Sequence, residues 1–491
     1  MNYNELKSGT DIRGVASALG GKTVNLTETA VMDLTDAFVV WLSKKINKNP
    51  ENMKIAIGHD SRITAQSIKS AAVSRLLCAG VTVLDCSLAS TPAMFMTTID
   101  LDADASIQIT ASHHPFDRNG LKFFTKEGGL EASDISEIVK LANDGQRSNI
   151  ADGKIEKVNY MTTYAMRLRK MICDGVGKTE AEQPLKGYKI IVDAGNGAGG
   201  FYAENVLKPL GADVSGSQFL EPDGMFPNHI PNPENKEAME SICSAVIANK
   251  ADLGIIFDTD VDRAGCVDNK GQEINRNRLV ALAAYIALQD NQGATVVTDS
   301  VTSDGLKTFI EKDLGGAHYR YKRGYKNVIN KAIELCNSGI NCPLAIETSG
   351  HAALKENYFL DDGAYLATKI VIELALGKKF DEILSTLKMA AEEKEIRLNI
   401  KAEDFRSYGN KVIEALEKFA ADNKDCKIAE DNREGMRITT PYGWMLLRLS
   451  VHDPVMPINF ESDEVGGTGK NIEFFRSFYE QFDELDLASY N

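Results

Sequence analysis

The feature that most constrains the fold is a pattern that occurs three times along the chain. Each time, a β-rich segment is followed by a polar or glycine-containing loop, a helical segment, a glycine and a second strand-like run. The instances are KIAIGHDSR leading to LLCAGVTVLD, KIIVDAGNGAGG leading to VLKPLGADVSG, and ATVVTDSVTSDGL leading to IEKDLGGAHYRY. The glycine suits the left-handed residue that ends a helix. The repetition predicts three related α/β domains.

The remaining segment, from roughly residue 390, has a different pattern. We predict that it begins with a charged helix, AAEEKEIRLNIKAEDF, and contains two strands, MRITTP and WMLLRLSV, which is typical of a smaller α+β domain. A chain of 491 residues is also long enough for three or four domains. Polar stretches near residues 150, 275 and 390 predict four domains with the bounds 1–152, 153–275, 276–390 and 391–491.

Composition narrows the class of partner and the compartment. The formal charge of -15 and the pI near 5.1 argue against a nucleic-acid or anionic-membrane partner, because such partners need a basic surface. Eight cysteines without a CxxC pair argue against a zinc site and against a disulfide framework. The longest apolar stretch, LVALAAYIAL, is too short to span a bilayer. We therefore expect a cytoplasmic protein.

The segment ADLGIIFDTDVDRAG carries the strongest chemical signal. An apolar run is followed by Asp258, Asp260 and Asp262 at alternate positions and then by Arg263. Three carboxylates so close repel one another unless a cation neutralises them, and hard oxygen ligands suit Mg²⁺. A calcium EF-hand is excluded, because Arg263 occupies the loop position that needs glycine and Asn269 the position of the bidentate Glu. A solvated acidic turn is the alternative.

Three further segments each allow two interpretations. IVDAGNGAGG has the spacing of a dinucleotide-binding loop, but its glycines equally suit tight packing, which we favour. AIETSGHAALKEN is suited to sugar hydroxyls or is an exposed turn; its candidate residues are Glu347, Ser349 and His351. LLRLSVHDP places three polar residues on alternate positions of a strand end, where one face could bind phosphate; these are Arg448, Ser450 and His452.

The segment TASHHP follows an apolar run near residue 110. Taken alone, Ser112 and Thr110 would simply hydrogen-bond a turn before Pro115. A serine hydroxyl becomes a useful nucleophile only when it is oriented beside a cation or a base. The aspartate triplet and Lys122 make a nucleophilic Ser112 the second interpretation, and one worth testing.

Together these segments resemble the α-D-phosphohexomutase family, enzymes that interconvert the 1- and 6-phosphates of hexoses. TASHHP matches the phosphoserine loop of the family, DTDVDR its metal loop, ETSGH its sugar-binding loop, and DIRG, from Asp11 to Gly14, its N-terminal arginine motif. The four matches occur in the order of the family over nearly the whole chain.

The resemblance implies three α/β domains with mixed sheets and a C-terminal α+β domain like half of a TATA-binding protein, arranged around one cleft. It implies that Ser112 carries the phosphoryl group and joins the aspartates as an Mg²⁺ ligand; these are Asp258, Asp260 and Asp262. Arg13 and Arg263 would stabilise the phosphoserine region. Lys122 or a neighbouring histidine, His113, would carry the proton, and His113 and His114 would add positive charge.

The implied reaction is an intramolecular phosphoryl transfer on mannose or glucose phosphates through a hexose 1,6-bisphosphate. Glu347 and Ser349, with His351 beside them, would bind the sugar, and the RLSVHDP loop would anchor the distant phosphate through Arg448, Ser450 and His452. The family loop usually reads Arg-Pro-Ser-Gly-Thr-Glu-Pro, so Val451 and His452 here replace Gly and Thr. The family metal loop, usually DGDGDR, is DTDVDR here.

Three alternatives stay open at this point. Thr348 stands where many phosphomannomutases have Met and phosphoglucosamine mutases have Gln, so a phosphoglucosamine mutase is one alternative. A second is an aspartyl phosphotransferase of the haloacid-dehalogenase type with Asp258 as nucleophile, although Asp262 stands where that motif has Thr or Val. The third is a sugar-phosphate-binding homologue without turnover.

Overall fold

The computed structural model describes residues 2–450 and 453–490, which form two compact units. The first unit comprises the chain up to Leu279 together with Ser349–Glu382. The second comprises Val280–Thr348 together with the chain from Ile383 onward. Each unit has its own buried apolar core.

The first sheet lies in the first unit and is mixed. Its strands are β1 (Lys7–Ser8), β2 (Asp11–Val15), β3 (Lys54–His59), β4 (Thr82–Leu88), β5 (Ala105–Ile109), β6 (Arg118–Thr125), β7 (Gly128–Gly129) and β8 (Lys154–Lys157). Their order is β1-β2-β6-β5-β3-β4-β8, with β7 paired to β6. β4 and β5 run parallel to β3, whereas β6 is antiparallel to β5. β5 is buried along its whole length, as expected for a central strand between layers of helices.

Four helices accompany this sheet. They are α1 (Glu28–Ile46), α2 (Ala65–Cys78), α3 (Thr91–Asp100) and α4 (Ala132–Asn143). α1, α2 and α4 share one apolar core with the central strands, and Phe38 of α1 stacks on Phe123 of β6 with ring centroids 4.4 Å apart. The result is a rigid support for the loop between β5 and β6, which contains Ser112.

The second sheet also lies in the first unit. Its strands are β9 (Ile190–Asp193), β10 (Leu253–Phe257), β11 (Ala264–Asp268) and β12 (Glu273–Ile274), in the order β12-β11-β10-β9. α5 (Tyr160–Val176), a π-helical turn at Tyr202–Leu207 and α6 (Lys236–Asn249) accompany it. The strand predicted after Gly211 is reduced to isolated bridges at Asp213 and Gln218, because Gly211 and Gly216 have positive φ and interrupt an extended ladder.

The third region follows α7 (Asn277–Gln289). In the second unit, β13 (Thr295–Asp299) pairs in parallel with both β14 (Ala317–Tyr321) and β15 (Leu344–Ile346). The helical segments there are α8 (Asp304–Thr308), a π-helical turn at Phe309–Asp313 and α9 (Tyr325–Asn337). The chain then forms the antiparallel hairpin β16 (Ala352–Leu354) and β17 (Leu360–Asp361), followed by α10 (Gly363–Ala375) and α11 (Phe380–Ile383).

The C-terminal region forms an antiparallel sheet in the second unit. Its strands are β18 (Glu392–Ile400), β19 (Lys427–Ile428), β20 (Met436–Thr440), β21 (Gly443–Leu447), β22 (Val455–Ser462) and β23 (Leu485–Asp486), in the order β19-β20-β21-β22-β18-β23. The helices are α12 (Phe405–Asp422) and α13 (Gly467–Tyr479). The two strands predicted in MRITTP and WMLLRLSV are confirmed as β20 and β21.

The helix predicted at the start of this region is wrong, because AAEEKEIRLNIKAEDF contains β18. Ile396, Leu398 and Ile400 are buried at every second position while the residues between them are exposed. That period of two belongs to a half-buried strand. Pairing with β22 along eight residue pairs therefore outweighs the helix propensity of the Glu- and Lys-rich start.

The predicted fold class is confirmed: the chain has three α/β regions with mixed sheets and a further sheet-containing C-terminal region. The four domain bounds given by the sequence remain a prediction. Among the described residues, no helix combines the length and the apolar character that crossing a membrane requires. All eight cysteines are free thiols.

Candidate active site

Ser112 lies in the loop between β5 and β6 with an unusual backbone. Its φ is +53°, a left-handed conformation that few residues other than glycine adopt. The Ser112 N–H donates to Oγ1 of Thr110 at 2.8 Å, and its carbonyl accepts a hydrogen bond from Arg62. The side chain is buried. Both backbone polar groups are thus satisfied by side chains, which fixes the direction of the hydroxyl.

Asp258, Asp260 and Asp262 lie in the tight connection between β10 and β11. One carboxylate oxygen from each lies within 4.8 Å of the others, and all three residues are buried. Oδ1 of Asp260 and Oδ1 of Asp262 accept no hydrogen bond from the described residues. Buried carboxylate oxygens without a donor are costly, so this set of hard oxygen ligands fits a divalent cation such as Mg²⁺. Burial and the neighbouring Asp262 charge raise the pKa of Asp258 well above its usual value.

The structure brings Ser112 to this carboxylate cluster. Ser112 Oγ lies 3.4 Å from Oδ2 of Asp258 and 3.3 Å from Nη2 of Arg263. Arg263 also donates through Nε to Oδ2 of Asp258 at 3.1 Å. A hydroxyl, a carboxylate cluster and a fixed guanidinium therefore meet at one point inside the first unit.

Lys122, on β6, lies against the same cluster. Its ammonium hydrogen-bonds Asp262 and lies 3.2 Å from Oδ2 of Asp260, and the side chain is buried. Asp260 is also bound by Thr91 at the start of α3, whose N–H donates to the Asp260 carbonyl at 2.8 Å. The positive charge of Lys122 and the backbone anchor together offset part of the repulsion between the aspartates.

Comparison with known proteins decides the family. Three models described as phosphoglucomutase/phosphomannomutase, alpha/beta/alpha domains I, II and III, match residues 5–148, 168–271 and 275–389. The phosphomannomutase/phosphoglucomutase of Pseudomonas putida is 30% identical over 95% of this chain and 94% of its own. The chain belongs to the phosphoglucomutase/phosphomannomutase family. It is a phosphohexomutase, an isomerase.

Other members of the phosphohexomutase family agree with this result. The phosphoglucomutase/phosphomannomutase of Thermococcus kodakarensis is 30% identical over 92% of this chain and 93% of its own. A phosphoglucomutase/phosphomannomutase family protein from Burkholderia thailandensis superposes with a TM-score of 0.81 at 26% identity, covering 98% of each chain. The similarity extends through the C-terminal region, which the three family models do not cover.

Burial favours the neutral form of both histidines of the TASHHP loop; the expectation that they add positive charge around a phosphate on Ser112 stays a prediction. Burial, reinforced by the Arg263 charge, lowers the pKa of His113 to about 2, and burial with the Arg13 charge lowers that of His114 to about 3. Nδ1 of His113 lies 3.2 Å from Ser112 Oγ. In this geometry His113 can exchange a hydrogen bond with Ser112.

Arg13 lies on β2, opposite Gly120 of β6. Its Nη2 donates to Oδ2 of Asp11 at 2.7 Å, and its charge contributes to the lowered pKa values of His113 and His114. The field of Arg13 therefore reaches the loop that contains Ser112.

His351 and Ser349 belong to the first unit and lie just before β16, the first strand of the hairpin. His351 bonds through Nδ1 to Asp361, and the same nitrogen lies 3.9 Å from Oδ1 of Asp262. Although burial disfavours the charge, Asp361 and Asp262 raise the pKa of His351 to about 9. Ser349 is buried. His351 is thus an ion-paired cation next to the metal loop, in addition to its predicted contact with sugar.

Glu347 lies in the second unit at the end of β15. Its Oε1 accepts the N–H of Gly324 at 2.6 Å, which holds the basic segment KRGYK, residues 322–326, beside a buried carboxylate. Thr348 donates through its hydroxyl to Oδ2 of Asp299 at 2.7 Å. The basic segment is a candidate for anion binding that the sequence analysis missed.

Arg448 and Ser450 follow β21 in the second unit. Nη2 of Arg448 donates to Oδ1 of Asn459 at 3.2 Å, and burial lowers the pKa of its guanidinium. Oγ of Ser450 accepts the N–H of Asp453 at 3.2 Å. His452, the third predicted member of this loop, lies outside the described residues.

Two further groups support the site, the first expected from the sequence and the second missed. The glycines of GNGAGG pack against backbone, as favoured over dinucleotide binding: a Cβ on Gly197 would lie 2.5 Å from the Thr259 carbonyl oxygen, and Ala198 donates to that oxygen at 2.8 Å. Arg62 binds the phosphoserine loop from behind. Its signal in the sequence was HDSR directly after the apolar strand β3, the same type of signal that marks Asp258.

Proposed function

We propose that this phosphohexomutase interconverts hexose 1-phosphates and hexose 6-phosphates, with mannose and glucose phosphates as substrates. Phospho-Ser112 transfers its phosphoryl group to the free hydroxyl of a hexose monophosphate, which gives hexose 1,6-bisphosphate and free Ser112. The bisphosphate reorients, and its other phosphoryl group returns to Ser112. The product is the isomeric monophosphate, and the phosphoenzyme is restored.

The observation that carries this proposal is the position of Ser112 Oγ, 3.4 Å from Asp258 and 3.3 Å from Arg263. A hydroxyl acts as phosphoryl carrier only where developing charge on the phosphoryl oxygens is stabilised. Arg263 supplies a fixed cation there. The same position suits Ser112 as a fourth ligand of a metal held by the three aspartates.

The metal of this proposal is Mg²⁺, bound by Asp258, Asp260 and Asp262. When bound, Mg²⁺ withdraws charge from the phosphoryl oxygens. Arg13 and Arg263 supplement it with positive charge at the loop. Lys122, within reach of the cluster, carries the proton between Ser112 and the sugar hydroxyl, and His113 exchanges hydrogen bonds with the serine.

Substrate binding is assigned to the predicted residues of the two later loops. Glu347 and Ser349 accept and donate hydrogen bonds to sugar hydroxyls, with His351 as an additional donor. The phosphate that does not react is bound by Arg448 and Ser450, together with His452. A fixed anchor at this end positions the reacting end in both orientations of the bisphosphate. The cytoplasmic location expected from composition is kept as part of the proposal.

The test combines substrate survey with phosphosite mapping. Purified protein with Mg²⁺ is assayed by coupled reactions on the 1-phosphates of mannose, glucose, glucosamine and N-acetylglucosamine. We expect turnover of the mannose and glucose compounds, an acid-stable phosphate ester on Ser112, and a folded but inactive Ser112→Ala variant. Preference for the amino sugar would instead identify a phosphoglucosamine mutase. A hydroxylamine-labile acyl phosphate on Asp258 would refute the serine mechanism, and bisphosphate binding without any turnover would indicate a binding protein.

A further inference from the structure

Arg62 lies behind the phosphoserine loop, where no substrate contact is assigned to it. We infer that Arg62, oriented by Asp60, is a positioning residue that holds this loop in the geometry required for phosphoryl transfer at Ser112. The inference rests on the proposed function of Ser112 and extends it to a residue that is assigned no contact with the sugar and forms no hydrogen bond with the three aspartates among the described residues.

The four hydrogen bonds that the two Nη atoms of Arg62 donate all go to one loop. Nη1 donates to the carbonyls of Pro115 at 2.7 Å and Arg118 at 2.9 Å. Nη2 donates to the carbonyl of His114 at 2.6 Å and to that of Ser112. A guanidinium presents its donors in a rigid planar fork. Four carbonyls within seven residues are therefore held in one fixed arrangement.

This arrangement determines the backbone of the nucleophile. Ser112 has φ of +53°, its N–H is bound by Thr110 and its carbonyl by Arg62. Because the peptide bond is trans, a carbonyl directed at Arg62 leaves the N–H of His113 pointing to the opposite side of the loop. The Cα–Cβ bond of Ser112 then has one direction, which places Oγ near Asp258 and Arg263.

Asp60 in turn fixes Arg62. Oδ1 of Asp60 accepts the backbone N–H of Arg62 at 3.0 Å, and Oδ2 of Asp60 lies 3.3 Å from Nε of the guanidinium. Both side chains are completely buried. A buried ion pair contributes little net stability, because desolvation offsets the attraction, but it is directional. The ion pair with Asp60 therefore orients the guanidinium of Arg62.

A second segment closes over the same guanidinium. The ring of Phe226, itself at φ of +51°, lies with its centroid 5.4 Å from the guanidinium carbon of Arg62. Gly224 packs so closely that a Cβ there would lie 2.3 Å from the backbone nitrogen of Ile63. Phe226, His113 and His114 also line one cavity of about 550 Å³. The loop is thus held from behind by Arg62 and borders an open volume in front.

The experiment compares Arg62→Lys and Arg62→Met with Arg75→Met. This control removes an arginine of α2 that is paired with Asp36 of α1 in the same unit. Each variant is phosphorylated with glucose 1,6-bisphosphate, and single-turnover transfer from phospho-Ser112 to glucose 1-phosphate is measured per phosphorylated site. We expect Arg62→Met to slow transfer about 100-fold, since a misplacement of about 1 Å has an effect of that size. KM should change less than about threefold, because the sugar contacts are elsewhere.

Arg62→Lys keeps the charge but loses the fork, so we expect about a tenfold slower transfer. The Arg62→Lys variant can still be measured if Arg62→Met does not fold. Hydrogen exchange of residues 110–119 should accelerate in both Arg62 variants and not in Arg75→Met. Folded Arg62 variants that transfer the phosphoryl group within about twofold of the wild-type rate would overturn this inference but leave the proposed function standing. A wild-type protein that turns over no hexose phosphate would overturn the proposed function as well.

Discussion

Two residues of the candidate site adopt a backbone conformation that their side chains disfavour. Ser112 has φ of +53° and Val261, in the metal loop, has φ of +68°. Such conformations cost on the order of 1–3 kcal/mol each and persist only where surrounding contacts impose them. Thr110 and Arg62 bind the backbone of Ser112, and the Val261 carbonyl accepts the N–H of Gly363 at 3.1 Å. Tertiary contacts thus hold Ser112 and the loop of the three aspartates in place.

Asp260→Asn tests the carboxylate cluster at this scale. The change removes one ligand charge while keeping the shape of the side chain, so Mg²⁺ should bind more weakly and turnover should fall by roughly two to four orders of magnitude. Steady-state rates over a titration of Mg²⁺ measure both effects. Asp268→Asn, a buried aspartate of β11 outside the cluster, is the matched control. Undiminished wild-type activity in excess chelator would contradict the assignment.

Arg448→Ala tests the anchor for the distant phosphate. Loss of a charged donor from the non-reacting end should raise KM at least about tenfold and lower kcat as well, because remote binding positions the reacting end. Kinetics with glucose 1-phosphate measure both parameters. Arg397→Ala, an exposed arginine of β18, should leave them unchanged. Equal kinetics for the Arg448 variant and the wild type would show that the altered RLSVHDP loop has lost this role.

At the scale of elements, α10 supports the metal loop through its first residue. A Cβ on Gly363 would lie 2.5 Å from the Arg263 carbonyl carbon and 2.6 Å from its oxygen, and both are backbone atoms that cannot rotate away. The start of α10 must therefore be glycine for the helix to approach this close.

Gly363→Ala should accordingly lower stability by about 1–3 kcal/mol through overpacking and reduce turnover by displacing Arg263. Gly469→Ala is the matched control: it lies in α13 with open space around its Cβ position, so added helix propensity should stabilise by about 0.5–1 kcal/mol. Urea unfolding measures both variants. A Gly363 variant as stable as the wild type would show that the helix start can shift freely.

The segment that precedes α6 is tied to the end of β9 by an ion pair between His229 and Asp193. Nε2 of His229 lies 2.9 Å from Oδ2 of Asp193, and Nδ1 lies 3.0 Å from the Ile230 carbonyl oxygen. Burial alone would lower the pKa of His229, but the bond to Asp193 outweighs it and the pKa is raised. Both ring nitrogens face acceptors, so the imidazolium is the form that the fold stabilises.

The stabilisation from His229 should therefore be fully present below about pH 6.5, the unfolded pKa, and should disappear as pH rises through the higher folded pKa. Compared with the wild type, His229→Gln should be less stable near pH 6 and closer to it near pH 9. Urea midpoints at a series of pH values measure the difference. A difference that is constant with pH would mean that His229 is not protonated in the fold.

At the scale of the whole molecule, an acidic chain must bind an anionic substrate. The net charge is -15, yet Arg13, Arg62, Lys122 and Arg263 all lie at or behind the Ser112 loop of the first unit. Local charge rather than net charge governs binding at such short range, because more distant charges are screened. These four cations are themselves paired with carboxylates, so a divalent cation at the aspartate cluster would supply the additional positive charge that an anionic substrate needs.

Metal binding should stabilise the whole fold. A ligand that binds only the native state adds about 2.7 kcal/mol at a concentration 100 times its Kd, so Mg²⁺ should raise the melting temperature above that in chelator. The shift should be much smaller for Asp260→Asn and unchanged for Asp268→Asn. Identical melting temperatures with and without Mg²⁺ in the wild type would contradict a metal site in the native state.

The sequence alone identified the three α/β regions, the apolar strands that lead into polar loops, and the order of the four motifs. These are local properties: strand period, glycine position and the alternation of Asp258, Asp260 and Asp262 are present within about ten residues. The sequence failed at β18, where a helix-forming composition hid a period of two. Ile396, Leu398 and Ile400 become decisive only when a neighbouring strand is there to bury them.

What the tertiary structure decided is the electrostatic and geometric state of those residues. Burial lowers the pKa values of His113 and His114, and Asp361 and Asp262 raise the pKa of His351, because pKa values depend on solvent exposure and on charges from distant parts of the chain. Arg62 lies 50 residues from Ser112 in sequence, so no local pattern links them. The sequence determines which groups are available for phosphoryl transfer; folding determines their distances, orientation and protonation, because these depend on contacts between segments far apart in the chain.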